Sequence, residues 1–245
     1  LGLARHYCLT GDPWIRETLD KIAANLAQIV LNDESWFAYS SHSGRVNGWT
    51  MQALAPAYEI RRDPSYRRAM RRLADLALEE QDPNCGGWLY ELPWGHCFCK
   101  TRKHVGEAGF LTAIRVNGLC RYYDLFGDRR VPQAVSRAIT HLNRDTWRED
   151  ETAWRYTSCP AIVGAGRSGV HLAALANALR LKHDDEQFRI LRAASAALTK
   201  DNLAALTRRT PTESGKSYAA TVYGSAEVAS FLAGAGRSRP KRAGR

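Results

Sequence analysis

The chain has 245 residues, of which 44% are hydrophobic and 24% charged, with 19 Gly and 9 Pro. That balance describes a globular protein and excludes an intrinsically disordered or collagen-like chain. No apolar run reaches the ~20 residues of a membrane-spanning helix, so a helical membrane span is excluded too. The formal net charge of +10 favours an anionic partner: nucleic acid, an anionic membrane surface or an acidic polysaccharide.

The elements follow in chain order from hydrophobic periodicity. Apolar residues at three- and four-residue spacing, such as Ile15, Leu19, Ile22, Leu26 and Ile29, predict helices. The predicted helices cover 1–9, 13–30, 48–61, 65–80, 106–125, 131–143, 168–182, 185–199 and 221–233. Strand alternation is nearly absent, so the fold class is all-α with no sheet of more than two short strands. The chain begins on helix-like residues with no signal-type segment, which reads as a mature product or a piece of a longer protein. If secreted or periplasmic, its signal region is absent from this chain. Residues 1–233 read as one domain. Residues 234–245, rich in Arg and Gly, read as a basic flexible tail.

One turn recurs. Asp12, Asp63, Asp128 and Asp184 each stand five residues after a bulky residue, Tyr7, Tyr58, Tyr123 and Leu179. The Asp residues are 51, 65 and 56 positions apart, a period that predicts repeated helical hairpins. A polar residue or Gly ends one helix, and Asp caps the next. The remaining connections, at 31–47, 81–105, 144–167 and 200–220, are long. Alternating short and long connections between antiparallel helices place the long ones on one rim. Six of the seven Trp lie in or beside them, so the rim is read as a structured binding face.

The stretches LTGDPW (9–14), GRVNGWTMQALAPAYEIRRDPSY (44–66) and HVGEAGFLTAIRVNGLCRYYDLFGD (104–128) resemble the α/α-toroid carbohydrate-active enzymes. These are the six-hairpin glycosidases and the toroid polysaccharide lyases, and the nearest subgroup is the toroid domain of exo-acting rhamnogalacturonan lyases. The resemblance implies an inner ring of helices wrapped by an outer ring, with a substrate cleft over one end. A complete ring needs more helices than the nine predicted, so the toroid is expected to be incomplete or the chain a fragment.

It also implies a polysaccharide-active enzyme, foremost a lyase that cleaves a uronate-containing glycan by β-elimination. Such a lyase must neutralise a carboxylate, remove the adjacent carbon-bound proton and protonate the leaving oxygen. Arg45 and Asn47 suit the first task, and His42 or Tyr156 the proton transfers. Arg167, with Arg45, Lys100, Arg102, Lys103 and Arg155, makes the rim basic. Trp49, Trp88, Trp94 and Trp154 are candidate sugar platforms. Glu107, three residues after His104, is a candidate general acid or a partner that orients His104. The alternative is a six-hairpin hydrolase on uronate- or rhamnose-containing oligosaccharides. That chemistry needs two opposed carboxylates, and no spacing among Glu91, Glu107, Asp145 and Glu149 selects a pair. A non-catalytic helical scaffold is the alternative from another class. Trp gathered on one rim speaks against it, and nucleic acid is disfavoured as the partner because its binders usually carry basic stripes along helices.

No cofactor is required. Zinc is a candidate ligand of Cys85, His96, Cys97 and Cys99, although their spacing matches no standard zinc module, and plain thiols or a disulfide are the alternatives. Cys8 and Cys120, in apolar helical stretches, are expected to be buried.

Overall fold

The computed structural model describes residues 2–40, 42–100, 102–207 and 222–235. Its helices are α1 (Gly2–Thr10), α2 (Pro13–Asn32), α3 (Glu34–Ser40), α4 (Gly44–Arg61), α5 (Pro64–Glu79), α6 (Gly109–Phe126), α7 (Val131–Thr146), α8 (Gly169–Leu181), α9 (Asp185–Thr207) and α10 (Ser225–Ala235).

The recurring Asp turn has a physical basis. Gly11, Arg62 and Gly127 adopt left-handed backbone, with φ of 68°, 56° and 66°. Their N–H groups donate to the carbonyls of Tyr7, Tyr58 and Tyr123 at 2.7, 2.8 and 2.8 Å, which closes the preceding helix. The next residue in each turn is Asp12, Asp63 or Asp128. Each accepts from the N–H two residues on, at 2.9, 2.8 and 3.0 Å. The five-residue spacing is therefore a four-residue helix closure followed at once by a cap. The fourth turn differs: Lys182 is extended, and Asp184 accepts from the Gln187 N–H at 3.0 Å.

The helices divide by burial. In α4, α6 and α8 the buried residues lie all round the helix and include Asn47, Gln52, Asn117 and His171. In α5 and α7 they fall on one stripe. Helices buried on most faces form the inner layer, and one-faced helices wrap it. The inner layer is apolar and small, so its few amides bond across helices. Gln52 donates to the Ile114 carbonyl at 3.2 Å, Asn117 to the Val170 carbonyl at 3.1 Å, and Asn177 to the Asn117 side chain at 2.9 Å.

α4 and α6 meet backbone to backbone. A Cβ on Gly48 would lie 2.3 Å from the Ile114 carbonyl oxygen, and one on Gly118 would lie 2.8 Å from the Gly48 carbonyl oxygen. One continuous core runs from Leu19 and Val30 through Met51, Leu73 and Leu119 to Leu175 and Leu191.

Three expectations need correction. The 144–167 connection holds a three-stranded antiparallel sheet, against the expected limit of two strands. It is built from β3 (Trp147–Arg148), β4 (Ala153–Arg155) and β5 (Ala165–Gly166), with Trp147 opposite Trp154 and Trp154 opposite Gly166. Its middle strand is buried at Ala153 and Trp154, and buried backbone needs partners that an irregular loop would not supply. The 31–47 connection is partly helical, because Asp33 accepts from the Trp36 N–H at 2.8 Å and starts α3. Cys8 is exposed, since α1 buries only Ala4, whereas Cys120 is buried in α6.

The 81–105 connection carries a two-stranded hairpin of β1 (Tyr90–Glu91) and β2 (Val105–Gly106). Of the expected 200–220 connection, α9 takes residues up to Thr207, and 208–220 lie outside the described residues. α10 reaches Ala235, so the expected tail 234–245 begins on helix, and 236–245 lie outside the described residues. Among the described residues no helix is long and apolar enough to cross a membrane.

Candidate active site

A cleft of about 630 Å³ opens where three connections meet. The N-terminal end of α4 supplies His42, Ser43 and Arg45, the end of α5 supplies Glu80, and the hairpin loop supplies Trp88, Tyr90 and His96. α6 forms the floor with Leu111 and Arg115.

Arg115 organises the floor. It is 1% exposed, a charge placed in the buried run Thr112–Cys120 of the inner layer. Its guanidinium reaches Glu80 at 3.1 Å, donates to the His42 carbonyl, and lies 5.0 Å from the centre of the Trp88 ring. Burial pushes its pKa down, and Glu80 opposes that shift. The same Glu80 holds His42 through Nδ1. Trp88, itself buried, donates from its indole nitrogen to the Ala77 carbonyl at 2.7 Å.

An aromatic cluster stands against His96, which lines the cleft. The Tyr156 hydroxyl lies 3.2 Å from His96 Nε2. Tyr156 stacks on Phe110 with centroids 5.2 Å apart and planes 17° apart, and Arg45 stands 5.2 Å from the Phe110 centroid. Burial, helped by the Arg45 charge, lowers the His96 pKa, which favours the neutral imidazole. A second cavity of about 440 Å³ is lined by Phe110 and Tyr156 with Trp154, Arg167 and His171. His171 stacks on Trp154 at 4.9 Å, and burial pushes its pKa down to about 4.

The structure sorts the predicted residues. His42 and Arg45 line the cleft, and Tyr156 joins them through His96. Trp94 is 80% exposed beside the lining residue Pro93, with Lys103 5.0 Å from its ring centre. Asn47 does not reach the cleft. It is fully buried and donates to the Leu73 carbonyl at 2.9 Å, so it ties α4 to α5. Trp49 packs edge-on against Tyr223 at 5.4 Å, away from the cleft lining. Trp154 is 1% exposed and bonded to Asn143 at 2.6 Å, so only part of its ring is available, as a wall of the second cavity. Arg167 is engaged with Asp201 at 2.8 Å and with the Glu151 carbonyl at 2.9 Å. His104 lines none of the cavities described above, and its backbone N–H points at Cys97.

Glu107 does not line the cleft; it is fully buried and accepts from Thr112 at 2.7 Å. His141 Nε2 stands 3.7 Å from it. Burial pushes the Glu107 pKa up to about 8; Thr112 opposes this and the Asp145 charge adds to it. The unfolded carboxyl has the ordinary value of 4.5. Between 4.5 and 8 the folded chain holds a proton that the unfolded chain has lost, so stability falls as pH rises through that window. Glu107→Gln is expected to flatten that slope, read as urea midpoints against pH. Parallel curves for the two proteins would contradict the protonated burial of Glu107.

The cysteine grouping also changes. The Sγ atoms of Cys97, Cys99 and Cys159 lie within 4.8 Å of one another. Cys85 is apart from them, in a turn where its N–H donates to Asp82 at 2.8 Å, and His96 is engaged with Tyr156. Cys159 comes from the 144–167 connection, and no sequence spacing links it to Cys97. Sequence reasoning also missed Glu80, Arg115 and Phe110. Only Arg115 left a signal, as the one charge in the stretch Gly109–Cys120 of α6.

An inner layer of helices wrapped by an outer one, joined by short Asp-capped turns with long connections gathered over one end, defines the α/α toroid. In keeping with that architecture, the chain is similar to two solved unsaturated glucuronyl hydrolases. The enzyme from Streptococcus agalactiae matches at TM-score 0.61 and 14% identity, over 80% of this chain and 51% of that one. The enzyme from Bacillus sp. GL1, described as responsible for the degradation of glycosaminoglycan, matches at TM-score 0.64 and 14% identity, over 98% of this chain and 66% of that one. This chain therefore spans between half and two thirds of their lengths. At this identity the likeness is one of fold. No family model matches the chain, and no curated protein matches its sequence.

Proposed function

We propose that this chain is the toroid of a glycan-degrading enzyme that acts on uronate-containing oligosaccharides by β-elimination. The observation that carries the reading is the composition of the cleft. It lines up Arg45, the Glu80-held His42 and His96 around one cavity whose lining includes a single carboxylate, Glu80, and Tyr156, which meets His96 at 3.2 Å, lines the second cavity. Two opposed carboxylates are what a hydrolase needs. Arg45 pairs with no carboxylate among the described residues and would hold that of the sugar. Tyr156 would take the proton from the carbon beside the carboxylate as its own proton moves to His96 Nε2. The bond from the next carbon to the leaving oxygen breaks, a carbon–carbon double bond forms, and His42 protonates the oxygen.

Hydrolysis is the second reading. It is favoured by the structural neighbours, both hydrolases, and by the protonated Glu107.

The test is a panel of acidic and neutral glycans. Elimination should give ultraviolet absorbance from the new double bond on acidic substrates, and Arg45→Ala should depress turnover of those while sparing binding of neutral ones. New reducing ends without that absorbance would reject elimination in favour of hydrolysis.

A further inference from the structure

We infer that Cys97, Cys99 and Cys159 form a zinc site that clamps together the two loops carrying His96 and Tyr156. Cys97 and Cys99 follow β1 in the hairpin loop, and Cys159 follows β4 in the three-stranded sheet. Their sulfur atoms gather within 4.8 Å of one another, and Cys99 and Cys159 are 3.6 Å apart. A tetrahedral zinc with Zn–S bonds of about 2.3 Å holds its sulfurs about 3.8 Å apart. The thiols thus already stand near the spacing of a shared ion.

Charge and hydrogen bonding point the same way. Cys97 is buried, yet its sulfur accepts two backbone N–H groups, from His104 at 3.3 Å and Cys99 at 3.4 Å. Two N–H donors aimed at one sulfur are the hydrogen bonds that a thiolate ligand accepts. Three thiolates around one divalent ion leave a single net negative charge. Two cations are in place to balance it: Lys103 bonds the Cys97 carbonyl at 3.4 Å, and Arg155 the Cys159 carbonyl at 3.5 Å. A disulfide would use two of the three sulfurs and leave the third without a role. The all-sulfur set selects a soft or borderline ion and disfavours magnesium or calcium. A water reaching the ion past half-buried Cys99 would complete the tetrahedron.

The loops need such a clamp. Their own core is a satellite of Leu92, Cys97, Cys159 and Ile162, separate from the main one. Trp88 and Trp154 anchor the bases of the loops in the main core, but the satellite where the loops meet is small, and structural zinc would contribute folding free energy there directly. The clamp bears on the cleft. Thr157, two residues before Cys159, donates to the carbonyl of His96 at 2.8 Å, and Tyr156 meets the His96 ring.

The experiment measures metals by atomic emission on untagged protein purified under reducing conditions without chelator. About one equivalent of zinc is expected. It should be released by a mercurial thiol reagent and fall below about a tenth of an equivalent in Cys97→Ser and Cys159→Ser. Cys85→Ser and Cys120→Ser should keep it. Stripping zinc with a chelator should speed tryptic cleavage at Lys100, Arg102 and Lys103 several-fold, which needs no knowledge of the substrate. Wild-type protein that stays below about a tenth of an equivalent after incubation with zinc would overturn the inference. So would copper or iron in place of zinc, or a Cys99–Cys159 disulfide in the reduced preparation.

Discussion

Tyr156→Phe and His42→Ala are each expected to lower turnover of an acidic glycan by about 10²–10⁴, the usual contribution of a positioned acid or base. Both losses should appear in kcat. For Tyr156 the change removes one hydroxyl, 3.2 Å from His96 Nε2, and keeps the ring stacked on Phe110. The aromatic cluster should therefore persist, and substrate binding should change little. For His42 the change frees Glu80 from one of its two partners, and Arg115 still holds it at 3.1 Å. Helical circular dichroism and the thermal midpoint should stay close to wild type in Tyr156→Phe. If both variants keep near-normal turnover on the best substrate, elimination through this cleft is wrong. Glu107 then takes the lead, provided that Glu107→Gln abolishes activity. Glu107→Gln by itself should spare a lyase, because Glu107 is buried with Thr112 and His141 and does not line the cleft.

The largest expected loss of stability is at Gly48. Two effects compete in Gly48→Ala. Alanine has the better helix propensity, by about 1 kcal/mol. Its Cβ, however, would lie 2.3 Å from the Ile114 carbonyl oxygen and 2.7 Å from the Arg115 nitrogen, both of them backbone atoms of α6. A backbone carbonyl cannot rotate aside, so α4 and α6 must separate, and overpacking costs about 1–3 kcal/mol, with backbone-to-backbone contact at the upper end. The clash wins. Gly118→Ala meets the same crossing from the other side, with the Gly48 carbonyl oxygen at 2.8 Å, and should also destabilise. Gly164 is the control, because a Cβ added there would meet nothing within 4 Å. Gly164→Ala should stay within about 0.5 kcal/mol of wild type. Urea unfolding of the three variants checks the order. A neutral Gly48→Ala would mean that the two helices do not touch through their backbones. Because α4 and α6 both end in the cleft, their separation should also displace Arg45 and Arg115 and reduce activity before the chain unfolds.

Sequence by itself determined the helices and the hairpin repeat, because both are local. Tyr7, Tyr58 and Tyr123 stand where a left-handed residue closes a helix, and the Asp that follows caps the next one. These bonds span two to four residues and read directly as spacing. His42 and Arg45 were within reach of sequence reasoning for a related reason, since both flank the start of an inner helix. What the tertiary structure alone decided depends on long-range closure. Glu80 matters because α5 ends against His42, 38 residues away, and Tyr156 meets His96 across 60 residues. Asn47, Trp154 and Arg167 looked like ligand contacts because their residue types suit sugars and carboxylates. Asn47 is instead engaged within the protein, with Leu73, whereas Trp154 and Arg167, bonded to Asn143 and Asp201, still line the second cavity. A polar residue type states which bonds a side chain can make, and only the fold settles which partner arrives first. Cys159 joined Cys97 and Cys99 for the same reason: two loops with no common spacing are brought together by a strand pairing that the apolar pattern does not encode.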